Sequence, residues 1–221
     1  MAHNTFAPAL TRLPESQRQL WPQLAALAKL GFVLHGETAI ALRLGHHDSG
    51  DFDFFTERAL DHKTLLAALP SLVSATTIQD EPNSYTAIVG GVKVSFFGCI
   101  TIGRIGHPQT TIDGVAIVAS LKDLMAQKLK VVMQRVESKD YRDIAALLRA
   151  GQSLEAGMAG AGALYGMNFS PMDCAKALVY FKGGDLALVP PADRTTLMNA
   201  VRALRMTSFA PAALLSPSLL P

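Results

Sequence analysis

Apolar positions recur with two different periods along this chain, and the change of period marks its elements. Leu20, Leu24, Leu27 and Leu30 fall at helical spacing, so residues 15–30 predict a helix that Gly31 stops. Residues 32–35 read as a short strand, and a short helix follows over about residues 37–44, ending at Gly45. A polar loop, residues 46–50, leads into Asp51–Phe55, a second strand. Residues 61–69 predict a helix that ends at Pro70. A β-rich stretch follows, with strands near residues 76–79, 85–89 and 92–97. Gly90-Gly91 between the last two suits a type I′ or II′ hairpin. A strand near residues 115–118 precedes a helix opened by Ser120, with Asp123 three residues on. Ser138 is placed to cap a further helix to Arg149, ended by Gly151.

Beyond residue 150 the texture changes. Gly157, Gly160, Gly162 and Gly166 thin out the side chains, which suits close helix packing. Ser170-Pro171 is a helix start, and Pro190-Pro191 introduces a last helix to about Leu204. The expected architecture is α/β (α+β): a mixed sheet flanked by helices over residues 1–150, with a helical C-terminal region, residues 151–221, packed on it.

With 221 residues, 49% hydrophobic and only 17% charged, the chain is not of the disordered class, which is charge-rich and poor in apolar surface. A net charge of +2 gives no general signal for nucleic acid or an acidic membrane. Cys99 and Cys174 form no CxxC and sit in no His cluster, so no zinc site or disulfide framework is readable. The first 14 residues hold no apolar core of a signal peptide, and no run of ~18 apolar residues exists to span a bilayer. The expectation is a cytoplasmic protein without a membrane partner.

Candidate chemistry begins at the second strand. Residues i and i+2 of a strand share a face, so Asp51 and Asp53 point one way and Phe52 and Phe54 the other. Two carboxylates ~7 Å apart on one strand face repel unless a cation lies between them. Hard oxygen ligands of this kind suit Mg²⁺, which proteins hold through one or two carboxylates together with substrate phosphates. Upstream, the chain turns at Gly36 into a helix whose free N–H groups can receive an anion. A phosphate cradle beside a carboxylate pair is the apparatus of metal-dependent phosphoryl or nucleotidyl transfer.

These residues resemble the AbiEii/AbiGii toxin family, within the nucleotidyltransferase superfamily of DNA polymerase β type. Gly36, Thr38, Ala39, Gly45, His46, Ser49, Asp51, Asp53, Phe54 and Phe55 follow that family's first block in order, and Lys128, Arg135 and Lys139-Asp-Tyr-Arg-Asp143 its second. The resemblance covers roughly residues 30–150. It implies Asp51 and Asp53 as catalytic ligands of Mg²⁺ or Mn²⁺, with an NTP as substrate. Nucleotide binding would fall to Gly36, Glu37, Thr38, Ser49, Lys128, Asp140 and Asp143. It further implies a toxin role with an antitoxin partner, and a tRNA or protein acceptor. The alternative is a catalytically weak or inactive relative that serves as a nucleotide- or partner-binding module.

The second block also reads from geometry alone. On a helical wheel, Lys128 and Arg135 fall among Leu121, Leu124, Met125, Val131 and Val132, and Asp140 and Asp143 lie toward the apolar side of the next helix. Charges on a core face are rarely left unpaired, so these groups either pair between the helices or project into a cleft holding phosphates. Lys128 and Asp140 are expected within ion-pair or single-water distance. Three departures from the family pattern stand out. Glu37 replaces a second Gly or Ser, His47 replaces an Arg, and the strand expected to carry a third acid offers Lys93, Ser95 and Phe97 instead.

Overall fold

The computed structural model describes residues 4–205 and 210–220. These divide into two compact units. One takes in the chain through Ile102, His107–Ser120 and the C-terminal segment from Pro217; the other takes in Gly103–Gly106 and Leu121–Ser216.

The first unit holds β1 (Thr5–Phe6), α1 (Glu15–Leu20), α2 (Ala25–Lys29), β2 (Val33–His35), α3 (Gly36–Leu44), β3 (Asp51–Phe55), α4 (His62–Ala68), β4 (Thr76–Glu81), β5 (Ser84–Val89), β6 (Val92–Phe97), β7 (Gln109–Thr111) and β8 (Ile117–Val118). Its strands form one mixed eight-stranded sheet in the order β1-β7-β8-β2-β3-β6-β5-β4. The protein is therefore of the mixed α/β class. β2 and β3 run antiparallel, whereas β3 and β6 run parallel, placing the helix-bearing turn after β2 beside the start of β3.

Alternation along β3 sets which face is core. Phe52 and Phe54 are buried and stack 6.2 Å apart, and Phe54 stacks on Phe96 of β6 at 5.8 Å. Trp21 stacks on Phe52, and its indole N–H donates to Asp113 Oδ2 at 2.8 Å, which satisfies the ring's polar atom. Strands β5 and β6 meet at Gly90-Gly91, both at positive φ (+56° and +82°), as a type I′ turn demands.

One expected element comes out differently, and two strands appear that were not expected. The helix over residues 15–30 is broken into α1 and α2 by a 3₁₀ turn at Trp21–Leu24, because Pro22 has no N–H to continue the α ladder. The short strands β1 and β7 carry too few residues for any periodicity to announce them.

The second unit is helical: α5 (Leu121–Val131), α6 (Ser138–Arg149), α7 (Leu154–Tyr165), α8 (Pro171–Val179) and α9 (Pro191–Arg202). A boundary at residue 150 falls inside this unit. Helices α5 and α6 carry apolar faces that pack on α7 and α9, so they group with the chain that follows them. At Gly157 a Cβ would stand 2.7 Å from Met125 Cγ, so α7 approaches α5 more closely than any side chain there would allow. Ser138 is the first residue of α6 rather than its cap; its N–H and hydroxyl both donate to the Asp185 carboxylate, at 2.6 and 2.7 Å.

Candidate functional site

The β2–α3–β3 segment of the first unit holds six of the expected metal- and nucleotide-binding residues: Gly36, Glu37, Thr38, Ser49, Asp51 and Asp53. Gly36 opens α3 at φ +73°, a left-handed conformation that costs an L-residue about 1–2 kcal/mol. A Cβ at this position would lie 2.5 Å from Asp53 Oδ2. The Asp53 carboxylate is thus seated against the bare backbone at the N-terminus of a nine-residue helix, where the helix dipole favours negative charge.

Asp51 shares the strand face with Asp53, on the opposite side from the Phe52–Phe54 stack. The parallel register with β6 pairs Asp51 with Lys93 and Asp53 with Ser95. Lys93 Nζ stands 3.4 Å from Asp51 Oδ2, in a pair whose side chains are 43% and 42% exposed. Water screens such a pair, which is worth under about 1 kcal/mol. The strand beside β3 therefore brings a cation and a hydroxyl to the acid pair where the resemblance implies a third carboxylate. The sequence put Lys93 on the strand expected to complete the site, without a role for it. Alternation put it on the right face, but only the β3–β6 register sets it against Asp51.

Thr38 and Ser49 are buried at the junction of α3 and β3. The Thr38 hydroxyl donates to the Asp51 carbonyl, so its contact with Ser49 Oγ at 2.5 Å must take the Ser49 proton. Both hydroxyls are spent on each other and on the backbone of Asp51, and so they fix the start of β3 relative to α3. Glu37 Oε1 lies 3.7 Å from His47 Nδ1, with both side chains largely buried. Two of the three departures thus face one another, and His47 Nδ1 also donates to the Asp48 carbonyl at 2.9 Å. His35, at the end of β2, is buried and stacked on Phe55 with ring centroids 4.5 Å apart.

The Asp51–Asp53 pair offers two hard carboxylates on one strand face, a donor set of the kind a divalent cation takes, and Asp53 Oδ2 fills the space beside Gly36 that a Cβ would need.

The second block lies in the helical unit. Lys128, on α5, bridges Asp140 Oδ1 at 2.7 Å and Asp143 Oδ2 at 2.6 Å, and all three side chains are buried. Arg135 closes the cluster, donating from Nε to Asp140 Oδ2 at 2.8 Å and from Nη2 to Asp140 Oδ1 at 3.0 Å. Burial works against the Lys128 charge, but the carboxylates of Asp143 and Asp140 outweigh it and hold its pKa above that of an ordinary lysine. Burial likewise opposes the Asp140 charge, and Arg135 and Lys128 overcome it and hold that carboxyl below its usual value. The expected approach of Lys128 and Asp140 is present, as a direct ion pair.

No protein-family model matches the chain. It is similar to an uncharacterized protein of Aquifex aeolicus (strain VF5), 28% identical over 143 residues that make up 63% of this chain and 69% of that protein.

Proposed function

We propose that this chain is a metal-dependent nucleotidyltransferase of the AbiEii/AbiGii toxin kind. It would move a nucleoside monophosphate from an NTP to an acceptor hydroxyl on RNA or protein, releasing pyrophosphate, in a toxin role held in check by an antitoxin in the cytoplasm. The observation that carries this reading is the Asp53 carboxylate seated against Gly36 at the opening of α3, with Asp51 on the same strand face.

When bound, Mg²⁺ or Mn²⁺ supplies neutralisation of phosphate charge and Lewis-acid activation of the attacking oxygen. Asp51 and Asp53 are the residues that hold it. Gly36 lets the backbone approach the phosphates, whose charge the first N–H groups of α3 receive. Thr38 and Ser49 act as positioning residues, since their hydroxyls lock Asp51 to α3. Glu37 brings negative charge to the same helix end, and His47 faces it. The resemblance also assigns nucleotide binding to Lys128, Asp140 and Asp143. Their ion-pair cluster equally serves as a clamp between α5 and α6, and that role requires nothing outside the helical unit.

A second reading, a nucleotide- or partner-binding module without turnover, is favoured by Ser95 and Lys93 standing where an acid is needed. Nucleotidyl transfer depends mainly on positioning and electrostatics, so loss of a general base lowers the rate on the order of 10²–10⁴-fold without abolishing it. Incubation with each labelled NTP and bulk tRNA or protein separates the two readings. Weak Mg²⁺-dependent labelling is expected, increased in Glu37→Gly and eliminated in Asp53→Asn. If neither the native chain nor Glu37→Gly exceeds the Asp53→Asn background, the binding module replaces the enzyme.

A further inference from the structure

Beyond the end of β3 the first unit holds a cavity of about 200 Å³. Its apolar wall is built by Leu30 and Phe32, which follow α2, by Leu60, and by Leu65 of α4. Thr56, Arg58, Asp61 and Thr64 supply its polar groups. The site is separate from the acid pair, since Thr56 lies past the far end of the strand that Asp51 opens, roughly 16 Å along extended chain.

The polar groups of the cavity are unevenly committed. Both Asp61 oxygens are taken by Thr64, whose N–H donates to Oδ1 at 3.1 Å and whose hydroxyl donates to Oδ2 at 2.5 Å. That carboxylate caps α4, and the Thr64 hydroxyl has spent its proton on it. Thr56 is buried, and its hydroxyl accepts from the Arg58 N–H at 3.4 Å, so its own proton is left to give. Among the described residues the Arg58 guanidinium meets no carboxylate. Gly31 places this head group. The backbone is left-handed there, at φ +82°, and a Cβ would stand 3.9 Å from Arg58 Cζ. The guanidinium therefore lies against bare backbone between Leu30 and Phe32, at the apolar wall. What the cavity has left to offer is donors, a guanidinium fork and one hydroxyl, beside a hydrocarbon surface.

We propose that this cavity binds a small apolar monocarboxylate, with its carboxylate on Arg58 and Thr56 and its hydrocarbon body against Leu30, Phe32, Leu60 and Leu65. A guanidinium holds a carboxylate through two parallel N–H···O bonds, which a neutral alcohol cannot match. An apolar cavity of ~150 Å³ takes benzene, so this one takes about eight non-hydrogen atoms, the size of hexanoate. The Asp61 charge does not reverse the choice of ligand, because its oxygens are turned to Thr64 of its own helix.

Titration of the full ¹⁵N-labelled chain with hexanoate, followed by nuclear magnetic resonance at the amides of Gly31, Thr56 and Ala59, tests the proposal. All three should shift together, with a dissociation constant on the order of 1 mM for a ligand of this size. Hexanol should bind about tenfold more weakly, and hexylamine should leave the three amides in place. Arg58→Gln should weaken hexanoate about tenfold and leave hexanol unchanged, a split that a packing defect would not produce. Arg58→Lys keeps the charge without the fork and should fall between the native chain and Arg58→Gln. Ala59→Phe, at an exposed position on the cavity rim, should weaken hexanoate and hexanol alike. If hexanoate moves none of the three amides, the site is overturned. Hexanol or hexylamine binding as tightly as hexanoate, or Arg58→Gln matching the native chain, overturns the selection of a carboxylate and the proposal with it.

Discussion

At Gly36 two demands fall on a single position. The backbone is left-handed there, and the Asp53 carboxylate occupies the volume of the missing side chain. Gly36→Ala therefore has to accept backbone strain of about 1–2 kcal/mol and push Asp53 aside as well. For a chain of this size each kcal/mol lowers the melting temperature by about 2–4 °C, so a drop of several degrees by calorimetry is expected, together with loss of Mn²⁺ binding. An unchanged melting temperature would show that Asp53 does not need this seat. Gly36 was legible in the sequence because glycine at a strand-to-helix turn is itself a signal. The pairing of Glu37 with His47 was not, since nine residues of helix and loop lie between them and only the folded loop brings them to 3.7 Å. The roles of Thr38 and Ser49 were hidden for a related reason. A hydroxyl that serves a ligand and one that ties two elements together look alike until burial is known.

Among the elements, α5 and α6 form the most explicit electrostatic unit. Each places charge on its apolar face, and the resulting cluster of Lys128, Asp140, Asp143 and Arg135 leaves the central ammonium between two carboxylates. Removing one member of such a buried set leaves an uncompensated charge, so Lys128→Met should destabilise the protein by about 3–5 kcal/mol in urea unfolding. A lysine that serves only a nucleotide would leave that midpoint in place and weaken NTP binding alone. The same cluster fixes an acid limit. Asp140 titrates below its ordinary value when folded, so its stabilising contribution is complete above the unfolded carboxyl pKa of about 4 and disappears as pH falls through the lower, folded value. Helical circular dichroism should thus begin to lose stability below about pH 4, and Asp140→Asn should lack that part of the pH dependence. The wheel predicted this pairing because periodicity fixes faces well. It did not fix ends: α5 stops at Val131, and Arg135 reaches Asp140 from the turn that follows.

For the whole molecule, protection against exchange should follow the strand order. β3 and β6 lie in the interior of the sheet with a neighbour on each side, whereas β4 is an edge strand with every residue exposed. Amide exchange measured by mass spectrometry should be slowest across β2, β3 and β6 and faster in β4 by orders of magnitude. Equal rates would mean that the sheet opens as one piece. The residue pattern by itself determined the α/β class, the Gly90-Gly91 hairpin, the shared face of Asp51 and Asp53, and the core-facing charges of α5 and α6. All of these follow from side-chain periodicity or turn chemistry within a few residues. Only the tertiary structure decided which strand stands beside β3, that Lys93 rather than an acid reaches Asp51, that Asp53 fills the space at Gly36, and that α5 and α6 pack with the helices after them. Those outcomes depend on register and packing between segments far apart in the chain. Local periodicity says which way a side chain points, but not what it meets.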